Sequence, residues 1–562
     1  MSFDNPFLFR TPAASEPKKK QPVEAPPELP PLLSLPASSP QPLSRPPSPP
    51  PAQPSVAMRS FGDIRATRGA IFERILQASA NLQPIENDRY SLTLTDPYYA
   101  EKDDPTPEQI KRAIIENGSV EKSLKGTWVL TDRQTGNVHR RPTVIAKVPY
   151  LLDNGTFLRN GTKFIMRNQS RLLPGAYVRQ KENGEYEAHI NADMREGAIH
   201  HYGLEPETGV MNVLVGGSKT PIYGLAKALG ATDEEMAEAW GEELAAINKK
   251  KFQTSHISKL YDKLSRGKKT AQTNEEKVEH LRASLEKINF DPEVMELTLG
   301  KPYKNMNKDV LLTATKKLLA ISKGEAESDD RDNLAFNEVY GPEDIFEERL
   351  AKDTGSYRRQ LFYNLVQRYS GNIDKIPAGA LSRQVESAIL GSGLSGNAEE
   401  VNSLEVFDQN YSLTRMGEGG ISSIQAAPDE SRGVHPSQRG YIDPARTPES
   451  LRIGIDTFLS TASRKGADRQ LYTPVLDKDG NQTYARPKEL MRKTVAIGSE
   501  YRKAADDDYI PAMQRGKEVM VPKSEVDYVL PNFEEAFSPL ANLVPFKSGM
   551  QGNRVAMGSR FA

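Results

Sequence analysis

The sequence has no cysteine in its 562 residues, which excludes disulfides, thiol nucleophiles and zinc sites built on cysteine and suits an intracellular protein. It has no run of about 18 apolar residues, and its start carries Asp4 and prolines in place of a basic stretch followed by an apolar one, so neither secretion nor membrane insertion is expected. It has no excess of charge either. The 74 basic residues meet 75 acidic ones for a net charge of −1, so no global field announces a polyanionic partner. No repeat with a period of about 20–50 residues stands out.

Proline, by contrast, is concentrated at one end. Residues 1–54 hold 17 of the 41 prolines, with Ser and Ala between them, and such a segment buries too little apolar surface to offset its ordering entropy. A disordered, Pro-rich tail is expected over 1–57, with ordered structure from about Met58. The remaining length is enough for three or four domains of about 100–200 residues. Basic clusters occur at Lys18-Lys19-Lys20, His139-Arg140-Arg141, Lys249-Lys250-Lys251 and Arg266-Gly267-Lys268-Lys269; each alone reads as solvated surface.

Over 125–190 the pattern is antiparallel β. Thr127, Val129 and Thr131 alternate, and Asn154-Gly155, Asn160-Gly161 and Asn183-Gly184 lie between apolar runs as hairpin signals, because both residue types tolerate positive φ. Helical spacing follows. Thr232-x-x-Glu235 and Thr273-x-x-Glu276 are capping boxes, the first leading into a stripe of Met236, Trp240, Leu244 and Ile247. Further helices are expected over about Lys308–Lys323, stopped by Gly324, and over about Ile345–Arg368, interrupted at Gly355. From about residue 400 Gly, Pro and Arg thicken into a loop-rich region, where binding chemistry usually sits. Leu471–Val475 and Gln482–Ala485 flank Asp477-Lys478-Asp479-Gly480 as a hairpin, and the Gly offset is wrong for a calcium loop.

Within the loop-rich region, Val434-His435-Pro436, Gly440, Pro444, Thr447-Pro448-Glu449 and Ile453-Gly454 fall at the spacing V-H-P-x-x-x-G-x-x-x-P-x-x-T-P-E-G-x-x-I-G. That pattern resembles the segment near the active centre of the β, or second-largest, subunit of multisubunit RNA polymerases. Phe407-Asp408-Gln409-Asn410 and Gly417-Glu418-Gly419-Gly420 resemble the family's M-D-Q-N and G-P-G-G stretches. Asp153-Asn154-Gly155-Thr156-Phe157, Asn160-Gly161-Thr162, Gln169 and Pro174-Gly175 resemble an upstream signature in the same order. Lys219-Thr220-Pro221 with Leu225–Gly230, and Asp329–Leu334, resemble further segments of the same subunit.

The resemblance implies an α+β multidomain fold: a β-rich protrusion over 58–169, a mixed helical lobe inserted over 170–345, the protrusion resuming over 346–406, a fork over 407–475, and an external domain over 476–562. Leu543-Val544-Pro545-Phe546 and Asn553–Ser559 resemble a segment that lies near mid-chain in cellular subunits. The chain is therefore expected to be the N-terminal half of a split β subunit, as in large DNA bacteriophages. Its partners are then a C-terminal β half that covers Leu543, Val544, Phe546 and Met557, β′-like subunits, double-stranded DNA and an RNA–DNA hybrid. No cofactor is expected on this chain. The catalytic Mg²⁺ belongs to the D-F-D-G-D triad of the largest subunit, and no such run occurs here.

For nucleic-acid contact the resemblance points to Gln409, Arg415, Gly417, Gly419, Gly420, Arg432, Arg439, Arg446, Glu449 and Arg452. The arginines suit bidentate phosphate contacts, and the glycines suit a loop whose backbone approaches a strand. The alternative for the arginines is pairing with Asp429, Glu430, Asp443, Glu449 and Asp456. Ser450-Leu451-Arg452 departs from the family's G-P-N. His435 reads as a structural residue ahead of Pro436, His200-His201 as two polar-loop histidines holding no metal, and Gly391–Gly396 as a dinucleotide pattern in name only, because it follows a helix. The expected function is thus a non-autonomous RNA polymerase subunit in the host cytoplasm. A packaged virion or scaffold protein of polymerase-like fold, or a decoy binding the host enzyme, stands as the alternative.

Overall fold

In the computed structural model, which describes residues 57–100, 104–181, 183–193, 198–265, 271–530 and 534–560, alternation of half-buried and buried side chains runs the whole length of Glu121–Asp132. One face of that strand is therefore core. It pairs antiparallel with Tyr90–Tyr99 on one side and Val138–Pro149 on the other, and Ile85–Glu86 closes a four-stranded sheet. Trp128, Leu92, Leu124 and Ile145 pack on Ile71 and Ile75 of the helix Ile64–Ala80, and on Phe346, Leu350 and Leu365 of the helix Pro342–Gln367. Burying each such side chain contributes about 1.5–3 kcal/mol, so segments far apart in sequence are held in one core. The proline-rich segment up to residue 56, with Lys18–Lys20, and the Arg266–Lys269 cluster lie outside the described residues.

The Pro342–Gln367 helix runs unbroken through Gly355, contrary to the expected interruption. A mid-helix glycine costs only about 1 kcal/mol, and buried Thr354, Arg358 and Phe362 around it outweigh that. The opposite happened to the stripe after Thr232. Gly241, at φ +87°, divides it into Asp233–Trp240 and Glu242–Lys251; Met236 and Trp240 are buried whereas Leu244 is half-buried. Both capping boxes form, and Lys308–Ser322 ends ahead of Gly324, at φ +74°.

The helices Asp233–Trp240, Asn274–Leu285 and Lys308–Ser322 cover one face of a five-stranded antiparallel meander made of Gly175–Gln180, Tyr186–Asn191, His200–Glu205, Val210–Val215 and Ser218–Pro221. The three Asn-Gly pairs all make turns. Asn160 and Gly161, at φ +46° and +75°, join Phe157–Arg159 to Thr162–Met166 in the primed geometry that suits twisted strands. Gly184, at φ +83°, closes the first hairpin of the meander, and Gly155, at φ +81°, turns the chain between the bridged residues Leu151 and Phe157.

Towards the end of the chain, Leu471–Leu476 and Gln482–Ala485 form the expected hairpin, with Asp477 Oδ1 accepting the N–H groups of Asp479 and Asn481 at 3.0 and 2.8 Å. They belong to an eight-stranded sheet whose far edge is Met58–Ser60, paired to Arg464–Gly466. A buried ionic network crosses this edge. Lys465 Nζ lies 2.6 Å from Asp344 and also contacts Glu343; Arg469 Nε is 3.1 Å from Asp344, and Arg59 contacts Glu343. Glu343 and Asp344 form the first turn of the long helix, where negative charge meets the positive end of the helix dipole.

Candidate nucleic-acid interface

The sequence stretches with shared spacing meet in a small four-stranded sheet. Its order is Asn337–Tyr340, Asn168–Leu172, Ser412–Thr414, Asp456–Phe458, and the middle pair is parallel. Asn168 Nδ2 donates to the carbonyls of Asn410 and Ser412 at 2.9 and 3.0 Å, which fixes the register between two segments more than 200 residues apart. The Asn410 amide in turn fills the space a side chain at Gly155 would need, so glycine is required there by contact as well as by its positive φ.

The next turn of chain, Gly417–Gly420, projects from this sheet as a loop with an anchored base and an exposed tip. Buried Gln169 donates from Nε2 to the carbonyls of Met416 and Glu418 at 2.8 and 3.1 Å, while its Oε1 accepts from Arg171 Nε at 2.7 Å. Arg171 is itself fixed by two hydrogen bonds to Glu348 and lies over the Tyr340 ring. Gly417 and Gly419 take φ of +110° and +83°, and a methyl group at Gly420 would strike the Arg415 carbonyl. Gly419 and Gly420 are exposed. The Glu418 side chain reaches back to the long helix, contacting Arg349 Nη2 at 2.9 Å and the Lys352 ammonium.

All five arginines singled out in the sequence have a carboxylate partner, though only two partners are among the acids expected. Arg415 pairs with Asp332 at 2.9 Å and donates to the Ser431 carbonyl. Arg439 meets Glu518, and buried Arg446 meets Asp408 while its guanidinium lies 3.9 Å from the Phe458 ring centroid. Arg452 pairs with Asp456 at 3.0 Å, an acid it shares with Arg167 and Thr414. Arg432 is 3.8 Å from Asp429, yet its stronger contacts are with backbone carbonyls. Asp443 serves the backbone too, accepting from Ala445, Arg446 and Ser538. The Glu430 side chain lies outside the described atoms, and Glu449 is exposed. Gln409 faces inward, bonded to the backbone of Glu399 and Glu405. Arg439 and Arg452 keep the largest exposed fractions of the five, 36% and 44%.

His435 is anchored on both ring nitrogens. Nδ1 accepts the Ser437 N–H and lies 2.7 Å from Ser437 Oγ; Nε2 lies 2.6 Å from Asp330 Oδ2. Serine, histidine and aspartate thus stand in a row, but Ser437 is 6% exposed and its Oγ accepts from Leu334 N–H, so the row is a clamp without access for a substrate. Burial alone would raise the Asp330 carboxyl; the hydrogen bond and charge of His435 hold it below the usual range. A lowered carboxylate stabilises the fold above its unfolded value and loses that contribution as pH falls through the folded one. We expect the thermal midpoint of Asp330→Asn to lie below that of the natural chain at pH 7, with the gap closing below about pH 4. A gap independent of pH would show that the carboxylate charge is irrelevant.

His200 and His201 are in a strand, where the sequence suggested a polar loop. Their side chains therefore point to opposite faces. His200 is buried, with its pKa lowered to about 4 by desolvation, and His201 stacks on His189 beside Glu187.

The family profile described as "RNA polymerase Rpb2, domain 3" matches residues 397–464, the segment that holds the glycine loop and the five arginines. The DNA-directed RNA polymerase subunit beta of Parasynechococcus marenigrum (strain WH8102) is 24% identical over 477 residues, covering 77% of this chain and 42% of that protein. This chain is similar to RNA polymerase β subunits. The corresponding subunit of Corynebacterium urealyticum (strain ATCC 43042 / DSM 7109) is 24% identical over 547 residues, covering 88% of this chain and 45% of its own length. The chain thus spans somewhat under half the length of the relatives it matches. The departure from the β-subunit pattern at Ser450-Leu451-Arg452 sits on a turn that Arg432 holds by donating to the Leu451 and Ile453 carbonyls. Gly454, at φ +69°, lies against the Arg432 carbonyl, where a methyl group has no room. Leu451 and Ile453 are left 69% and 47% exposed.

Proposed function

We propose that the chain forms part of the wall and fork around template DNA and the RNA–DNA hybrid in a DNA-directed RNA polymerase assembled from several polypeptides, with the Mg²⁺-binding carboxylates on a different, β′-like chain. Phosphoryl transfer by two metal ions needs the strand ends held in line with the metals, and positioning is the work left to this chain. The observation that carries the reading is the glycine loop, anchored through Gln169 and Arg171 with its tip exposed, within the segment that the Rpb2 domain 3 profile matches. The second support is an apolar groove with a cavity of about 720 Å³, lined by Leu543, Val544, Met550 and Met557, which suits a β-type subunit divided between polypeptides. A bacteriophage origin and a place in the host cytoplasm belong to the same proposal.

The test is co-expression with the chain of the same genome that carries D-F-D-G-D and with the remaining β-like chain. The assembled complex is expected to extend an RNA primer on a nucleic-acid scaffold, and the isolated chain is not. Equal extension by a complex lacking this chain would overturn the proposal.

A further inference from the structure

We propose that a stripe of the Pro342–Gln367 helix, formed by exposed Lys352, Arg359 and Tyr363 and by Arg349, 14% exposed beside Glu418, binds the phosphate backbone of single-stranded nucleic acid, and that Glu418 of the glycine loop competes with that backbone for Arg349 and Lys352. At about 100° per residue these four side chains, with Ser356 between them, fall within roughly 80° of arc and about 21 Å of helix axis. Lys352 and Tyr363 are 48% and 62% exposed, and Arg359 is exposed as well, its Nε bonded to the Gly355 carbonyl. The neighbouring acids of the helix are engaged elsewhere: Glu347 with Arg74, Glu348 with Arg171, and Asp353 with Ser387. The stripe itself is therefore cationic along its length and ends in an aromatic ring, the combination by which single strands are held, by charge along the backbone and stacking on the bases.

Glu418 places one oxygen on Arg349 and the other on Lys352. A phosphate, with two free oxygens of similar spacing, fits the same pair, and Arg prefers such forked contacts. Glu418 belongs to the loop and not to the helix, so a strand arriving on the stripe displaces it and releases one of the loop's side-chain ties. Gln169 still holds the backbone. The inference rests on the reading that this chain works on nucleic acid, but it names a surface separate from the glycine tip and the five arginines.

The experiment is fluorescence anisotropy of a labelled oligothymidylate with the full chain over a salt series. Glu418→Gln is expected to tighten binding several-fold. Lys352→Gln with Arg359→Gln is expected to flatten the log–log salt slope by about 1.4, at roughly 0.7 per phosphate on a single strand. Tyr363→Ala is expected to weaken binding about ten-fold through lost stacking. Tyr363→Ala touches no contact of the loop, whereas Lys352 is a partner of Glu418, so Tyr363→Ala tests the stripe even where the other variants loosen the loop. Binding by the natural chain that none of these variants changes overturns the inference and leaves the polymerase reading intact. Absence of binding by the natural chain and by Glu418→Gln alike overturns the inference alone, because the polymerase reading is decided by primer extension in the assembled complex. Equal affinity for a blunt duplex with the same sensitivity to the variants overturns the assignment to single strands.

Discussion

Replacing Lys465 by methionine is expected to lower the stability of the chain by about 3–5 kcal/mol, the cost typical of breaking a buried ion pair from one side. The Lys465 side chain is 3% exposed and faces Glu343 and Asp344, at 2% and 0%. Methionine keeps the volume and removes the charge, so the two carboxylates are left with Arg59, Arg469 and a distant Arg74 at 3.9 Å. Burial alone would raise the Asp344 carboxyl, but Lys465 and Arg469 hold it well below the carboxylate range. The urea midpoint should fall with little change in slope, since the unfolded chain exposes the same surface. Adding Glu343→Gln and Asp344→Asn should recover part of the loss, because it is the unpaired buried charge that costs most. A midpoint equal to that of the natural chain would mean that the network contributes nothing.

Arg446→Ala is expected to be comparably damaging, again by about 3–5 kcal/mol. Arg446 is buried against Asp408, whose other oxygen accepts the Leu540 N–H at 3.1 Å, and its guanidinium covers Phe458. Its removal leaves the Asp408 carboxylate unpaired and opens the contact between the Ser403–Asp408 helix and the Pro539–Leu543 helix. The expected signature is a lower thermal midpoint with an unchanged salt slope of nucleic-acid binding in the folded protein. A flattened slope with unchanged stability would instead place Arg446 on a phosphate.

What the sequence disclosed and what it hid follow the range of the interactions. Asn160-Gly161 and the boxes starting at Thr232 and Thr273 state their structure within four residues, because the groups that satisfy the backbone are neighbours in sequence. Gly355 and Gly241 carry the same local penalty and behave oppositely; only the packing of Thr354, Arg358 and Phe362 separates them, and packing is not written locally. The same holds for the arginines. Spacing identified the segment, but the partners Asp332, Glu518 and Asp408 lie 83, 79 and 38 residues away from Arg415, Arg439 and Arg446. Of the residues that anchor the loop, Gln169 was visible only as part of a motif and Arg171 was not singled out at all. Gln169 and Arg171 are two apart in a strand and so share a face, a hint that two long polar side chains act together, with no indication of what they hold.

Leu172 and Asn337 face each other as register partners across an antiparallel pair. Everything between them, the five-stranded meander with its helices, leaves the small junction sheet and returns to it a hairpin's width away. Because loop-closure entropy grows only slowly with length, by about 0.6 kcal/mol per doubling, a longer excursion between these juxtaposed ends would cost the rest of the chain little, provided that Asp330 and Asp332 still arrive at His435 and Arg415. In genetic terms the segment behaves as a cassette whose exposed turns can lengthen, while the acids that tie it to the rest of the chain are fixed: Asp291, Glu293 and Glu296 on Lys488, Arg486 and Arg492, and Asp330 and Asp332 at its exit.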